Sequence, residues 1–165
     1  MRDIVLIAHN LRSCHNVGSL LRTAEGLGVR RVILSGYTPC PPHLDDHRLP
    51  HEAAKIAKQI HKTALGAEDM VDWEHCETIL PVLAELRTAG YVIAAVEQAP
   101  NAQRLPAYRP PQKIALLVGR EVEGVEAEIL AACDLALEIP MLGKKESFNV
   151  VQAAAMALFR CRFAA

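Results

Sequence analysis

Three polar segments of the sequence combine residue types that can bind an anion or a small ligand. The first, residues 9–22, places Asn16 and Arg22 six positions apart. Side chains in a helix lean toward its N-terminus, so a long arginine at position 22 is able to reach back toward the preceding loop. An anion there would meet free backbone N–H groups and a guanidinium fork. Taken alone, the segment is more simply explained by a capping Asn16 and a surface Arg22.

The second polar segment, residues 119–124, has the sequence GREVEG and directly follows the apolar run IALLV. Gly119 and Gly124 allow the backbone to approach a ligand closely, and Glu121 can accept hydrogen bonds from a hydroxyl or an amine. The spacing is neither that of the dinucleotide motif GxGxxG nor that of a P-loop. A plain connection between a strand and a helix explains these local features equally well.

The third polar segment, residues 139–149, reads IPMLGKKESFN and precedes an apolar helical pattern. Ser147 is the predicted cap of that helix, which puts Asn149 in its first turn. Asparagine is unfavourable inside a helix, so its amide is expected to bind loop carbonyls or a ligand. A capping Ser147 with a merely exposed Asn149 is the simpler alternative. Lys144 and Lys145 suit phosphate contacts, although a solvated pair is nearly as plausible.

Alternating apolar runs and helical patterns predict the elements that position these segments. Strands are expected over residues 4–8, 32–34, 91–96, 114–118 and 135–139, and helices over 17–27, 52–60, 79–88, 125–132 and 147–162, with Asn16 capping the first helix and Gly28 ending it. Short continuous apolar runs are typical of strands buried on both faces. The pattern predicts one α/β domain over residues 1–165, with a parallel sheet covered by helices. Ligands of such sheets bind at the carboxyl ends of the strands, where all three polar segments lie.

The charge of the chain is nearly balanced, at −1 for 165 residues, so the whole molecule is not a basic nucleic-acid binder. Basic residues nevertheless predominate over residues 1–37 and 143–165. If the two ends meet in space they would form a local patch for phosphates, although solvated charge is the simpler explanation. The sequence has no signal peptide and no apolar run of about 18 residues, which predicts a cytoplasmic protein without membrane contact.

Metal binding is not expected from the sequence. The five cysteines are scattered and form no CxxC pair, so neither a zinc cluster nor a disulfide framework is indicated. His43, His47 and His51 lie four apart, a spacing that would align them on one face of a helix. Pro50 and the neighbouring prolines make a continuous helix there implausible, and a solvated loop is predicted instead.

Together the three segments resemble the signature motifs of the SpoU/TrmH family of RNA methyltransferases, within the SPOUT superfamily. Residues 11–29 (LRSCHNVGSLLRTAEGLGV) resemble its motif running from an asparagine to an arginine. Residues 116–125 (LLVGREVEGV) resemble its Gly-x-Glu-x-x-Gly motif, and residues 139–159 (IPMLGKKESFNVVQAAAMALF) its Ile-Pro-Met-x-Gly…Ser-x-Asn-Val motif. The order of the motifs also matches. Phe148 stands where the family usually has leucine.

The resemblance implies a fold, a cofactor and a set of site residues. The fold is a parallel α/β sheet with helices on both faces, whose C-terminal part, about residues 114–165, forms a deep trefoil knot. The cofactor is S-adenosylmethionine, and the partner is a second copy of the chain in a homodimer with the site near the interface. The implied catalytic residues are Arg22, Asn16, Glu121, Ser147 and Asn149; the cofactor-binding residues are Val118, Gly119, Gly124, Ile139, Met141, Ser147, Phe148 and Asn149; the RNA-binding residues are Arg12, Arg22, Lys144 and Lys145.

The implied reaction is methylation of a ribose 2′-hydroxyl of RNA. Because the chain lacks the extra N-terminal RNA-binding domain of many rRNA-directed relatives, tRNA is favoured over rRNA as the substrate. Two alternatives are a SPOUT enzyme that methylates a base nitrogen and a non-catalytic RNA-binding module on the same fold. The Asn16/Arg22 and Ser147/Asn149 pairs favour ribose.

Overall fold

The computed structural model describes residues 1–44 and 46–164 and contains a parallel sheet of seven strands. The strands are β1 (Asp3–His9), β2 (Arg31–Ser35), β3 (Trp73–Cys76), β4 (Val92–Val96), β5 (Gln103–Arg104), β6 (Lys113–Val118) and β7 (Leu135–Glu138). They lie in the order β3-β2-β1-β6-β4-β7-β5, and every pairing is parallel. The α-helices are α1 (Cys14–Gly26), α2 (Pro50–Ala64), α3 (Leu80–Thr88), α4 (Ala127–Ala132) and α5 (Val150–Phe163). This order brings the carboxyl ends of β1, β6, β4 and β7 side by side.

Helices cover both faces of the sheet, as the sequence predicts. Alternate residues of β1 belong to two separate apolar clusters, because successive side chains of a strand point to opposite faces. Leu6 packs in the cluster that contains α1, α2 and α5, whereas Ile7 packs in the cluster that contains α3 and α4. Both side chains are fully buried. A central strand buried on both sides explains why its sequence is continuously apolar rather than alternating.

The N-caps of α1 and α5 differ from the predicted ones. The α1 cap is Ser13, which accepts from the backbone N–H of Asn16 at 3.2 Å; Asn16 lies in the first turn, so its predicted capping role is wrong. The α5 cap is Asn149, whose Oδ1 accepts from the N–H of Val151 at 2.9 Å, so the prediction for Ser147 is also wrong. The Ser13 hydroxyl satisfies the free N–H group at the start of α1, which leaves the Asn16 amide available for other contacts.

Two strands were not predicted, and helices α1 and α2 are longer than predicted. β3 (WEHC) is half-buried at every position and lacks an apolar run, while β5 has only two residues at the sheet edge. α2 starts at Pro50. Proline is tolerated in the first turn of a helix, because backbone N–H groups there have no acceptor within the helix. In the described residues no helix combines the length and apolarity needed to cross a membrane.

Close packing of α1 on α2 depends on Gly18. A Cβ at this position would lie 2.2 Å from the backbone oxygen of Ile60 and 2.3 Å from Oγ1 of Thr63. Thr63 also joins the two helices by donating to the backbone oxygen of His15 at 2.8 Å. The helices are therefore in direct backbone contact, with no room for a methyl group.

Replacing Gly18 with alanine should lower the free energy of unfolding by about 1–3 kcal/mol, since overpacking against backbone forces the helices apart. Chemical denaturation would measure the change. Gly26→Ala in the same helix is the control, because a Cβ there meets nothing within 4 Å. Equal stability of the Gly18→Ala and wild-type proteins would contradict this account of the α1–α2 contact.

Candidate active site

A pocket of about 270 Å³ lies at the carboxyl ends of β4, β6 and β7. Three loops contribute to it, and the lining contains both apolar and polar residues. The lining residues are Val96, Glu97, Gln98, Val118, Gly119, Arg120, Glu121, Val122, Glu123, Gly124, Leu137, Ile139, Met141, Glu146, Ser147, Phe148, Val150 and Ala153. Seven of the eight residues predicted to bind the cofactor are among them, all except Asn149. The position agrees with the general rule for ligands of parallel sheets.

Two glycines shape the loop after β6. Arg120 and Gly124 form an antiparallel bridge, with Arg120 N–H donating to Gly124 O at 3.2 Å and Gly124 N–H donating to Arg120 O at 3.1 Å. A Cβ on Gly119 would lie 2.7 Å from the backbone of Gly124. Gly124 itself has φ +71, in the left-handed region that favours glycine. The loop therefore presents backbone rather than side chains at this part of the pocket wall.

Glu121 ties this loop to the start of α1. Its Oε1 accepts from the Asn16 amide at 3.0 Å and from the Ser13 N–H at 3.1 Å, and its Oε2 accepts from the Arg12 N–H at 3.1 Å. Burial alone would raise the pKa of Glu121, but these hydrogen bonds, that from Asn16 first, hold it below the usual value. Glu121 and Asn16, both predicted site residues, are thus in direct contact.

Replacing Glu121 with glutamine should destabilise the protein at neutral pH by roughly 1.5–3 kcal/mol, the usual contribution of a hydrogen bond to a charged group. Because the folded pKa is depressed, this stabilisation is present above the unfolded pKa of about 4.3 and is lost as the pH falls through the folded pKa. Denaturation of both proteins across a pH series checks this. A stability difference that persists at the acid end would contradict the charge-based explanation.

Asn16 also contacts the third motif. The Asn149 amide donates to Asn16 Oδ1 at 3.4 Å, a long hydrogen bond, while Asn149 Oδ1 caps α5. Asn16 therefore joins Glu121 on one side and Asn149 on the other. The structure brings one residue of each sequence motif into a single chain of hydrogen bonds beside the pocket.

The loop after β4 supplies pocket residues that the sequence interpretation missed. Glu97 accepts from the Val125 N–H at 3.0 Å and from the Gln98 N–H at 2.9 Å. Gln98 donates through its side chain to the Glu146 backbone oxygen at 2.7 Å, which links this loop to the third motif. The position of Glu97 directly after the apolar run YVIAAV was the available signal, since polar residues at strand ends collect at the site.

A polar network next to the pocket was also missed. His9, at the end of β1, is buried and bonds Ser35 Oγ through Nδ1 at 2.8 Å, while its Nε2 lies 3.3 Å from Glu126 Oε2. Asn10 donates to Glu126 Oε1 at 2.9 Å, and Arg120, a pocket residue, lies 3.6 Å from the same oxygen. Burial lowers the pKa of His9, against the opposing charge of Glu126. The network fixes Arg120 relative to the carboxyl end of β1.

The two ends of the chain meet, but most of their arginines are used internally. Arg2 donates to the Ala164 backbone oxygen at 2.8 Å, and Arg162 donates to that of Leu27 at 2.8 Å. Arg12, a predicted RNA-binding residue, pairs with Glu123 at 3.0 Å.

The other predicted RNA-binding residues are Arg22, Lys144 and Lys145. All three are exposed, and within residues 1–44 and 46–164 they form no hydrogen bond or ion pair. Of the predicted RNA-binding side chains, these three are therefore available to a phosphate, whereas Arg12 is paired. Arg22 does not line the pocket in the single chain.

The sequence matches the model of the SpoU rRNA Methylase family over residues 3–159. This match covers nearly the whole chain, which therefore belongs to that family of RNA methyltransferases, as the motifs predict. The chain is 28% identical over 157 residues to the 23S rRNA (guanosine-2′-O-)-methyltransferase RlmB of Nitrosomonas europaea, covering 94% of this chain and 54% of that protein. The chain thus spans about half the length of the curated relatives it matches.

Solved structures share the fold. An rRNA methyltransferase from Sinorhizobium meliloti, crystallised with AdoMet bound, superposes with a TM-score of 0.81 at 21% identity, covering 97% of this chain and 56% of that one. A structure described as giving insights into the 2-OH methylation of C/U34 on tRNA has a TM-score of 0.75 at 24% identity, covering 97% of this chain and 94% of that one. The likeness confirms the predicted α/β architecture.

Proposed function

We propose that this protein transfers a methyl group from S-adenosylmethionine to a ribose 2′-hydroxyl of RNA. The observation that carries the proposal is the convergence of the three motifs, through Asn16, Glu121 and Asn149, beside a pocket at the carboxyl ends of β4, β6 and β7. The support from comparison is family membership, together with a relative whose name specifies guanosine 2′-O-methylation.

The pocket fits the proposed cofactor. Its volume of about 270 Å³ is close to the lower end of the range for small-molecule sites. Glu97, Glu121, Glu123 and Glu146 line it, and their negative charge suits a ligand that carries a sulfonium and an ammonium group. Backbone exposed by Gly119 allows close approach. S-adenosylmethionine supplies an electrophilic methyl group on a positively charged sulfur, so the site needs no metal for that chemistry.

Arg22 is the residue we propose to organise the acceptor. A ribose 2′-hydroxyl is a weak nucleophile near neutral pH, and it must lose its proton as it attacks. Orientation in line with the methyl group and stabilisation of the developing alkoxide lower the barrier. The arginine pKa is too high for an efficient base, so Arg22 clamps the neighbouring phosphate, and a phosphate oxygen or a water accepts the proton. Asn16 and Glu121 hold the loop that faces the ribose.

A homodimer would bring Arg22 to the reaction. In the single chain Arg22 is exposed on α1 and does not line the pocket, so we propose that a second copy places its Arg22 beside the methyl group. Exposed Phe159 and Phe163, in tilted contact with ring centroids 4.8 Å apart on α5, supply apolar surface for such an interface.

Mixing two inactive variants tests this arrangement. If Arg22 and the pocket act from different protomers, the variants Arg22→Ala and Gly124→Ala can complement each other. After random mixing, half of the dimers are heterodimers, and each heterodimer has one intact site. Activity should return to about a quarter of wild type. Mixtures that stay inactive while exchanging subunits would contradict a shared site.

We propose tRNA as the RNA substrate and a deep trefoil knot over about residues 114–165. The tRNA assignment is supported by the shared fold with the structure described as giving insights into the 2-OH methylation of C/U34 on tRNA, at a TM-score of 0.75. The knot is proposed from membership of the family whose motifs the chain resembles. A crystal structure, in which the path of the backbone can be followed through residues 114–165, tests the knot. We also propose that residues 1–165 form one methyltransferase domain and that the protein acts in the cytoplasm, which cell fractionation tests.

The proposed activity is tested in two steps. Calorimetric titration with S-adenosylmethionine should show one site per chain, whereas a non-catalytic RNA-binding module would give no heat. Labelled cofactor is then incubated with unmodified tRNA and rRNA transcripts, and the product nucleosides are identified by mass spectrometry. A 2′-O-methyl nucleoside from tRNA is the expected product. A methylated base would instead support the base-methylating alternative and overturn the ribose assignment.

A further inference from the structure

We propose that Cys40, His43 and His75 form a binding site for a zinc ion, separate from the methyl-transfer pocket. One ligand atom from each residue lies within 4.8 Å of the other two. The two imidazole rings are stacked at 18°, with centroids 6.0 Å apart, and Cys40 is buried beneath the surface. No pocket residue belongs to this cluster. The proposal revises the expectation from the sequence that the protein binds no metal.

The topology of the sheet assembles these three residues from distant parts of the sequence. Cys40 and His43 lie in the loop that follows β2, and His75 lies on β3, which pairs in parallel with β2. In that register Ser35, the last residue of β2, is opposite Cys76, the last residue of β3. The loop that carries Cys40 and His43 therefore begins beside the end of β3, where His75 lies. The sequence interpretation considered His43 with His47 and His51. The structure instead groups His43 with a cysteine and with a histidine on the unpredicted strand β3.

The hydrogen bond of His75 supports a role as a metal ligand. His75 Nε2 lies 2.9 Å from the backbone oxygen of Gly36. A carbonyl oxygen only accepts hydrogen bonds, so Nε2 carries the proton and Nδ1 keeps its lone pair. Histidine ligands of metals almost always donate their other ring N–H to a carboxylate or a backbone carbonyl in this way, which fixes the tautomer and the ring orientation.

Arg48 holds the loop in the conformation that presents Cys40 and His43. It donates to the backbone oxygen of Cys40 at 3.0 Å, to that of Pro41 at 3.3 Å, and to Asp46 Oδ1 at 2.7 Å. The loop is therefore braced before any ion binds, which reduces the entropic cost of binding.

The donor set selects the metal. One thiolate and two imidazoles suit zinc, which prefers sulfur and nitrogen ligands in tetrahedral geometry. Zinc bond lengths of about 2.0–2.3 Å put tetrahedral ligand atoms roughly 3.3–3.6 Å apart. The three ligand atoms lie within 4.8 Å of one another, so side-chain shifts of at most roughly 1.5 Å bring each pair to these separations. Three protein ligands leave the fourth position to water.

Cobalt substitution and zinc competition test the site with readouts independent of methyl transfer. Titration of the reduced protein with Co²⁺ should give one equivalent of binding, a thiolate-to-cobalt charge-transfer band and the intense visible bands of tetrahedral cobalt. Zn²⁺ should bleach these bands and raise the Tm. Cys40→Ser should remove the charge-transfer band. His43→Gln, at an exposed side chain, should weaken binding at least about tenfold, because even loss of a residue that only orients a ligand costs about 10- to 100-fold.

Cys76→Ser is the matched control. Cys76 neighbours His75 on β3, but its side chain packs against the apolar residues on the opposite face of the sheet, beside α3 and α4. It should bind cobalt as the wild type does. No tetrahedral cobalt spectrum from the wild-type protein would overturn the proposal. An unchanged charge-transfer band in Cys40→Ser, or unchanged affinity in His43→Gln, would overturn it as well.

Discussion

Replacing Arg22 with alanine is expected to reduce methyl transfer at least about 100-fold while S-adenosylmethionine binds nearly as well as before. The reason for the loss is that a preorganised charged group facing the reacting centre contributes about 10²- to 10³-fold to the rate. The reason for retained binding is that Arg22 does not line the pocket. Single-turnover rates with RNA and calorimetry with the cofactor measure the two effects separately.

The fold of the Arg22→Ala variant should be unchanged, since within the described residues the side chain has no hydrogen-bonding or ionic partner. Arg109→Ala is the matched control, because Arg109 is also exposed and lies outside the three motifs. A variant lacking Arg22 that turns over at nearly the wild-type rate would show that another group orients the ribose. Equal loss in the Arg109 variant would indicate general RNA binding instead.

Replacing Gly124 with alanine should weaken cofactor binding at least about tenfold, equivalent to roughly 1.4 kcal/mol. The backbone at Gly124 has φ +71, and a Cβ would lie 2.2 Å from Glu97 Oε2. A non-glycine residue in such a conformation costs about 1–3 kcal/mol. Because Glu97 also holds the Val125 N–H, the new methyl group would displace both walls of the pocket. Calorimetric titration with S-adenosylmethionine measures the effect.

Gly26→Ala is the control for Gly124→Ala, since Gly26 ends α1 and a Cβ there has open space. Its affinity should equal that of the wild type. Thermal denaturation of both variants shows whether each remains folded at the temperature of the titration. Wild-type affinity in a folded Gly124→Ala protein would mean that the β6 loop does not bind the cofactor.

The sequence predicted the central strands and the pocket for a physical reason. β1, β4 and β6 are buried on both faces, so their apolar runs are continuous and readily recognised. The segments that follow β6 and β7 were therefore placed at the carboxyl edge of the sheet, and their residues line the pocket. The contact between Glu121 and Asn16 links parts of the chain 105 residues apart. The motif resemblance put both residues in one site but did not predict this hydrogen bond.

The sequence did not predict the structure at the edge of the sheet, nor which of two neighbouring polar side chains caps a helix. β3 is at the sheet edge and half-buried, so its composition carries no apolar signal, and the Cys40, His43 and His75 cluster was missed with it. Ser13, rather than Asn16, is the N-cap of α1. Serine and asparagine are both good N-caps, so the sequence alone does not decide between them. Arg22 was placed near the pocket by spacing along α1, yet a single chain leaves it at the surface.

The position of RNA methylation in cells tests the central claim most directly. A 2′-O-methyl group blocks the hydroxyl that attacks the adjacent phosphodiester, so a modified linkage resists alkaline cleavage. In the source organism, deletion of the gene should abolish one alkali-resistant linkage in tRNA. The wild-type gene should restore that linkage, and the Arg22→Ala gene should not. If every resistant linkage survives the deletion, or if only a methylated base disappears, ribose methylation is not what this protein does.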